Sequence, residues 1–199
     1  MEINYPGGTR ANHNNLKSKP TRFNTNYGDR GMGLESELNA SNQYYLAHDI
    51  AVIHKKPTPV QIVRVNYPKR AAAVIKEAYF NKASTTDYNG VYRGHYIDFD
   101  AKETKNATAF PLSNFHQHQI EHMRKCIQQG GICFAIIKFV KTNDIFLFKA
   151  TDLFQFWDAQ KKGGRKSIPK LTIQELGYSI NYQLQPLIPY LEAVDQLID

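Results

Sequence analysis

From Ile132 to Val140 the chain has one polar side chain, Lys138, in a run of apolar and β-branched residues. A run of this kind is a strand covered on both faces, which requires a layer of structure on each side of a sheet. Its flanks agree. Ser113 or Asn114 can cap a helix running to about Gln129, and Gly130-Gly131 ends it. Asp144 to Lys149 reads as the hairpin partner of the apolar strand. Upstream, Leu34, Leu38 and Tyr45 have helical spacing, predicting a helix to about Ala47, with a strand from Ile50 to Ile53. Downstream, Asp152 is placed to cap an aromatic helix, Thr172 to Glu175 has capping-box spacing, and Pro189 to Ile198 reads as a final helix. There are no internal repeats. The expected fold is α/β, a mixed central sheet flanked by helices, and 199 residues suffice for one such domain plus an arm.

A second strand carries charge. Tyr96, Asp98, Asp100 and Lys102 alternate with Ile97, Phe99 and Ala101, so Asp98, Asp100 and Lys102 share one face and the apolar three share the other. An expected turn at Asn89-Gly90, with Gly94 just beyond, folds the segment carrying Asp87 back beside this strand. Two carboxylates and a lysine then converge. Carboxylates that close repel unless a cation lies between them, and a hard divalent metal takes such oxygen ligands. The lysine can stabilise negative charge developing on a phosphate. The set suits phosphodiester cleavage; the plainer alternative is a solvated strand face whose acids and lysine pair across a sheet.

Charge is uneven. The chain carries a formal +7, which suits a polyanionic partner. Residues 1–29, rich in asparagine with Pro6, Gly7, Gly8 and Pro20, have few apolar side chains to bury. They read either as an inert tail or as a flexible basic arm that orders on nucleic acid, with Arg30 at its end. From Lys55 to Arg70 the charged residues are Lys55, Lys56, Arg64, Lys69 and Arg70, all basic, punctuated by Pro57, Pro59 and Pro68. This excursion, about residues 55–72, reads as a projection that meets a phosphate backbone, or as a solvated hairpin. Cys126 and Cys133 lack metal-type C-x-x-C spacing and are expected to be buried free thiols in a reducing cytosol. The first residues lack the apolar core of a signal peptide, and no run is long and apolar enough to span a membrane, so the expected location is the cytoplasm.

One motif competes. His118-Gln119-Ile120-Glu121-His122 matches H-x-x-E-H, in which two histidines one helical turn apart hold zinc beside a glutamate base. No downstream acid is an obvious third ligand, and a zinc peptidase gives no use to Asp87, Asp100 and Lys102. Histidines on a helix facing a polyanion or solvent are the other reading.

Four stretches together resemble the RecU family of Holliday junction resolvases, members of the restriction-endonuclease-like nuclease superfamily. They are Arg30 to Glu35, Ile53 to Val63, Thr85 to Gly90, and Tyr96 to Lys105. The resemblance implies a homodimeric endonuclease that resolves four-way junctions in recombination and repair by paired symmetric nicks. It implies Mg²⁺ as cofactor, with Mn²⁺ able to substitute, and recombinase or branch-migration proteins as further partners. Asp87 and Asp100 match metal-binding acids, Asp100 standing where the family often has Glu. Lys102 matches the lysine that stabilises the transition state. Thr85 and Gln119 match further metal-site positions, and Glu35 matches an acid on the first helix that shapes the site. The basic segment matches a DNA-contacting stalk, with Arg30, Lys55, Lys56, Arg64, Lys69 and Arg70 as the expected contacts. The non-enzyme alternative is the same fold used only to bind branched DNA.

Overall fold

The computed structural model describes residues 33–66, 73–81 and 85–198. Six strands form the central sheet, in the order β1 (Val52–Lys55), β4 (Tyr88–Tyr92), β5 (His95–Thr104), β7 (Ile132–Phe139), β8 (Asp144–Lys149) and β10 (Tyr178–Ile180). Every neighbouring pair is antiparallel except β5 and β7. That parallel pair needs a crossover, supplied by β6 (Ala109–Pro111) and helix α2 (Gln117–Gln128). The mixed α/β architecture expected from the sequence is the one observed.

The alternation of β5 and β7 builds two cores. Ile97, Phe99, Phe134 and Ile136 pack with Leu34, Leu38 and Tyr45 of α1 (Leu34–Ala47) and with Tyr190 and Leu191 of α5 (Tyr190–Val194). Cys133, Ala135 and Ile137 pack on the other face with Ile120 and Met123 of α2 and with Leu153 and Trp157 of α3 (Ala150–Lys161). Lys138 is buried in the first layer, its ammonium 2.7 Å from Glu37. Burial opposes its charge, but the hydrogen bonds to Glu37 and Tyr182 outweigh it and raise the lysine pKa. The one polar residue of the apolar run is thus buried with its counterion, as buried charge requires.

Several boundaries differ from expectation. The reversal between β4 and β5 falls at Arg93-Gly94, both at positive φ, and not at Asn89-Gly90. Gly90 lies inside β4, where a Cβ would come within 2.1 Å of the Val52 carbonyl oxygen; the glycine serves close approach of β1. Helix α3 starts before Asp152, which lies in its first turn. Helix α2 starts at Gln117, after a 3₁₀ turn over Leu112–Asn114, and the Gln119 side chain accepts the His116 N–H at 3.0 Å. Two three-residue strands unmarked in the sequence, β6 and β9 (Ser167–Pro169), pair with each other, and the short helix α4 (Lys170–Leu176) follows. The final helix tightens to 3₁₀ at Asp195–Leu197.

β2 (Val60–Asn66) and β3 (Val74–Phe80) form a separate two-stranded sheet. Every described residue of the pair is exposed except Val65, including Ile62, Val63, Ile75, Tyr79 and Phe80. The projection therefore extends to Phe80, past the end expected near residue 72, and Lys55 and Lys56 lie at its root. Arg30, Lys69 and Arg70 fall outside the described residues.

Candidate active site

Asp87 sits immediately before β4, and the antiparallel pairing of β4 with β5 brings it beside Ala101 and Lys102. Its Oδ2 accepts the Ala101 N–H at 3.2 Å and lies 3.5 Å from the Lys102 ammonium. Asp100 and Lys102 share a strand face, and their charged groups are 2.5 Å apart. Helix α2 covers this face and places Gln119 Nε2 2.9 Å from Asp100 Oδ1. Asp87, Asp100, Lys102 and Gln119 thus lie together at one end of β5.

Asp100 is fully buried. Burial raises its pKa to about 7, the Lys102 charge opposes the rise, and the neighbouring Asp87 carboxylate adds to it. The Lys102 ammonium ion-pairs with Oδ2, and among the described residues that buried oxygen accepts no hydrogen bond of good geometry. A buried carboxylate oxygen left without a hydrogen bond, next to a second, half-exposed carboxylate, fits a hard divalent cation. Asp87 and Asp100 are the residues that could hold it. Gln119 is placed differently from a direct ligand: its amide oxygen is used by the His116 N–H and its nitrogen by Asp100. It orients the carboxylate. The Thr85 hydroxyl donates to the Thr86 carbonyl at 3.3 Å. Glu35 is exposed on α1 and ion-paired with Lys55.

Asp98, which shares the strand face with Asp100, belongs to another cluster. Its carboxylate binds the Lys56 ammonium at 2.6 Å, the Tyr96 hydroxyl at 2.8 Å, His122 Nε2 at 3.1 Å and the Thr86 hydroxyl. Lys56, expected on the projection against DNA phosphate, is instead held inward, its side chain only 16% exposed. Physically, the buried Asp98 charge demands a counterion, and Lys56 at the end of β1 supplies it. His122 is likewise turned toward Asp98, so the H-x-x-E-H helix directs one of its histidines into this cluster. The parts of the site that sequence reasoning missed are Lys56, Thr86 and His122 as partners of Asp98. The one available signal was that Asp98 lies on the same face as Asp100 and needs neutralising. Arg64 is exposed on β2.

The model of a family described as Recombination protein U matches residues 29–196. The chain belongs to the RecU family. A protein of Pediococcus pentosaceus named Holliday junction resolvase RecU is 65% identical over 199 residues, which cover 100% of this chain and 99% of that protein. A Levilactobacillus brevis protein of the same name is 65% identical over the full length of both chains. One from a Geobacillus strain is 58% identical over 99% of this chain and 98% of its own. The family match spans every residue of this cluster and both strands of the β2–β3 hairpin.

Proposed function

We propose that the protein is a divalent-metal-dependent endodeoxyribonuclease that resolves four-way DNA junctions as a homodimer, one nick coming from each protomer. The observation that carries this reading is the convergence of Asp87, Asp100 and Lys102, with the Asp100 carboxylate buried and its pKa raised, in a chain 65% identical to proteins named Holliday junction resolvase RecU.

Asp87 and Asp100 would hold Mg²⁺, or Mn²⁺ in its place. When bound, the cation supplies Lewis acidity at the scissile phosphate and eases deprotonation of the attacking water. The chain's own residues arrange the rest. Gln119 fixes the Asp100 carboxylate from α2 by donating to its other oxygen. Lys102 approaches both carboxylates, and its ammonium stabilises charge on the phosphoryl oxygens as they gain it. Thr85 and the Glu35–Lys55 pair shape the rim between α1 and the Asp87 loop. The β2–β3 hairpin buries little surface of its own and carries the exposed Arg64, and we propose it as a DNA contact, with Arg30, Lys69 and Arg70 as further contacts by the family resemblance. Recombinase and branch-migration proteins are proposed as further partners in the same pathway, at work on DNA in the cytoplasm. No described helix is long and apolar enough to cross a membrane.

The test is incubation of the full chain with labelled mobile junction and linear duplex, in Mg²⁺ and in EDTA. Symmetric nicks in the junction that require Mg²⁺ and vanish in Asp100→Asn support the reading. Junction binding without cleavage in Mg²⁺ or Mn²⁺ would replace it with a branched-DNA-binding factor.

A further inference from the structure

Three donors of a soft-metal site meet on the face of β5 that carries the Asp100 cluster, and His122 adjoins two of them. Asp98 on β5 and Cys133 on β7 are register partners in the parallel pair, so their side chains stand side by side on the same face. His122 and Cys126 are one turn apart on α2 and project onto that pair. The thiols of Cys126 and Cys133 and the Asp98 carboxylate all lie within 4.8 Å of one another. His122 Nε2 is 3.1 Å from Asp98 Oδ2 and 3.5 Å from Cys126 Sγ. Tetrahedral zinc with ordinary Zn–S, Zn–N and Zn–O bonds needs ligand atoms about 3.4–3.8 Å apart. His122 already comes close to that spacing toward Asp98 and Cys126, and a small shift of α2 toward Cys133 would complete the set.

We propose that Asp98, His122, Cys126 and Cys133 form a binding site for a thiophilic divalent cation such as zinc, separate from the Asp87 and Asp100 site. The donor set defines its class: two sulfurs and an imidazole favour zinc or cobalt over the hard cations that two carboxylates take. Asp98 and Cys133 are buried and Cys126 half-buried. Entry is open, because His122 and Cys126 line a cavity of about 610 Å³ together with His95, Tyr96, Lys125 and Gly131. The site already attracts positive charge. The Lys56 ammonium lies 2.6 Å from Asp98 and 3.4 Å from His122 Nε2, where it competes with an incoming ion. Burial raises both thiol pKa values, so binding releases two thiol protons and the ion must displace Lys56. Once bound, the ion ties α2, which carries Gln119, to β5, which carries Asp100.

This site has no water-activating glutamate and makes no use of His118, which distinguishes it from the zinc-peptidase arrangement. The experiment is a Co²⁺ titration of the reduced, metal-stripped full chain in an Asp87→Ala background, which disables the nuclease site. One equivalent should produce thiolate-to-cobalt charge-transfer absorption with intense tetrahedral d–d bands, both abolished by added Zn²⁺. Cys126→Ser and His122→Ala should each weaken binding by at least ~100-fold. His118→Ala should leave it unchanged, and Lys56→Met should tighten it by ~10-fold as the competing charge is removed. Circular dichroism checks that each variant is folded; should Cys133→Ser not fold, Cys126→Ser and His122→Ala decide. Absence of thiolate charge transfer in both the Asp87→Ala protein and its Lys56→Met derivative overturns the proposal. So does a spectrum that survives in folded Cys126→Ser.

Discussion

Asp98 and Asp100 lie two positions apart on one face of β5, both fully buried, with their pKa values pushed in opposite directions. Burial raises both. At Asp98 the hydrogen bonds from Lys56, Thr86 and His122 outweigh burial and hold the carboxylate below its usual range. At Asp100 burial and the adjacent Asp87 prevail over Lys102, and the value rises to about 7. One acid is satisfied by the fold, and the other is left with an oxygen for a ligand. Such divergence between neighbouring titratable groups marks a working site.

Removing either of the proposed metal ligands should separate binding from cutting. Asp87→Ala and Asp100→Ala are expected to bind four-way junctions and to cleave them at least ~100-fold more slowly in Mg²⁺. Gel-shift and single-turnover cleavage on the same preparations measure both. Wild-type rates from either variant would remove these residues from the chemistry.

Asp98→Ala should act on the fold. It strands the Lys56 ammonium without its carboxylate, and breaking a buried pair in this way costs about 3 kcal/mol. Urea denaturation of metal-free protein should show the loss. Full stability combined with abolished cleavage would transfer the metal site from Asp100 to Asp98.

The raised Asp100 pKa makes a signed prediction for the metal-free protein. Between the unfolded pKa, near 4, and the folded value of about 7, the native state holds a proton that the unfolded chain has released. This group's contribution to stability is therefore greatest below pH 4 and declines as pH rises to 7. Asp100→Asn should lack that decline and exceed wild type above pH 7 by about 2–4 kcal/mol. Denaturation in EDTA across pH 4 to 8 compares them, and parallel curves would contradict the burial argument. Saturating Mg²⁺ should narrow the gap, since it binds the ionised wild-type carboxylate.

Lys102→Ala is expected to slow single-turnover cleavage by ~100-fold with junction affinity nearly unchanged, because its ammonium faces the two carboxylates and is only 19% exposed. Weaker binding at an unchanged cleavage rate would make Lys102 an ordinary backbone contact.

The projection should govern preference for branched DNA. Charge reversal at Arg64 and Arg70 is expected to lower junction affinity, flatten its salt dependence and leave the fold intact, since phosphate contacts release counterions. Lys56 is unsuitable for this test because it neutralises Asp98. Undiminished junction preference in the doubly reversed variant would reduce the hairpin to plain surface.

Periodicity alone determined much of this protein. The unbroken apolar run of β7 required cover on both faces, and the alternation of β5 put Asp98, Asp100 and Lys102 together on one face with Ile97, Phe99 and Ala101 on the other. Both follow from local geometry, which strand period expresses directly. A hairpin expected from the sequence put Asp87 beside Asp100, although the turn falls at Arg93-Gly94, whereas the role expected of Gln119 came only from the family resemblance, since no spacing rule links it to Asp100. Tertiary structure decided the rest. That the Asp98 pKa falls while the Asp100 pKa rises depends on Lys56, just after β1, and His122 from α2, residues 42 and 24 positions away from Asp98. That Lys56 turns inward while Arg64 stays exposed depends on which buried charge each can reach. Chain pattern records which face a side chain occupies, whereas the partner it finds there is set by packing elements distant in sequence, and that partner decides which way each acid's pKa is pushed.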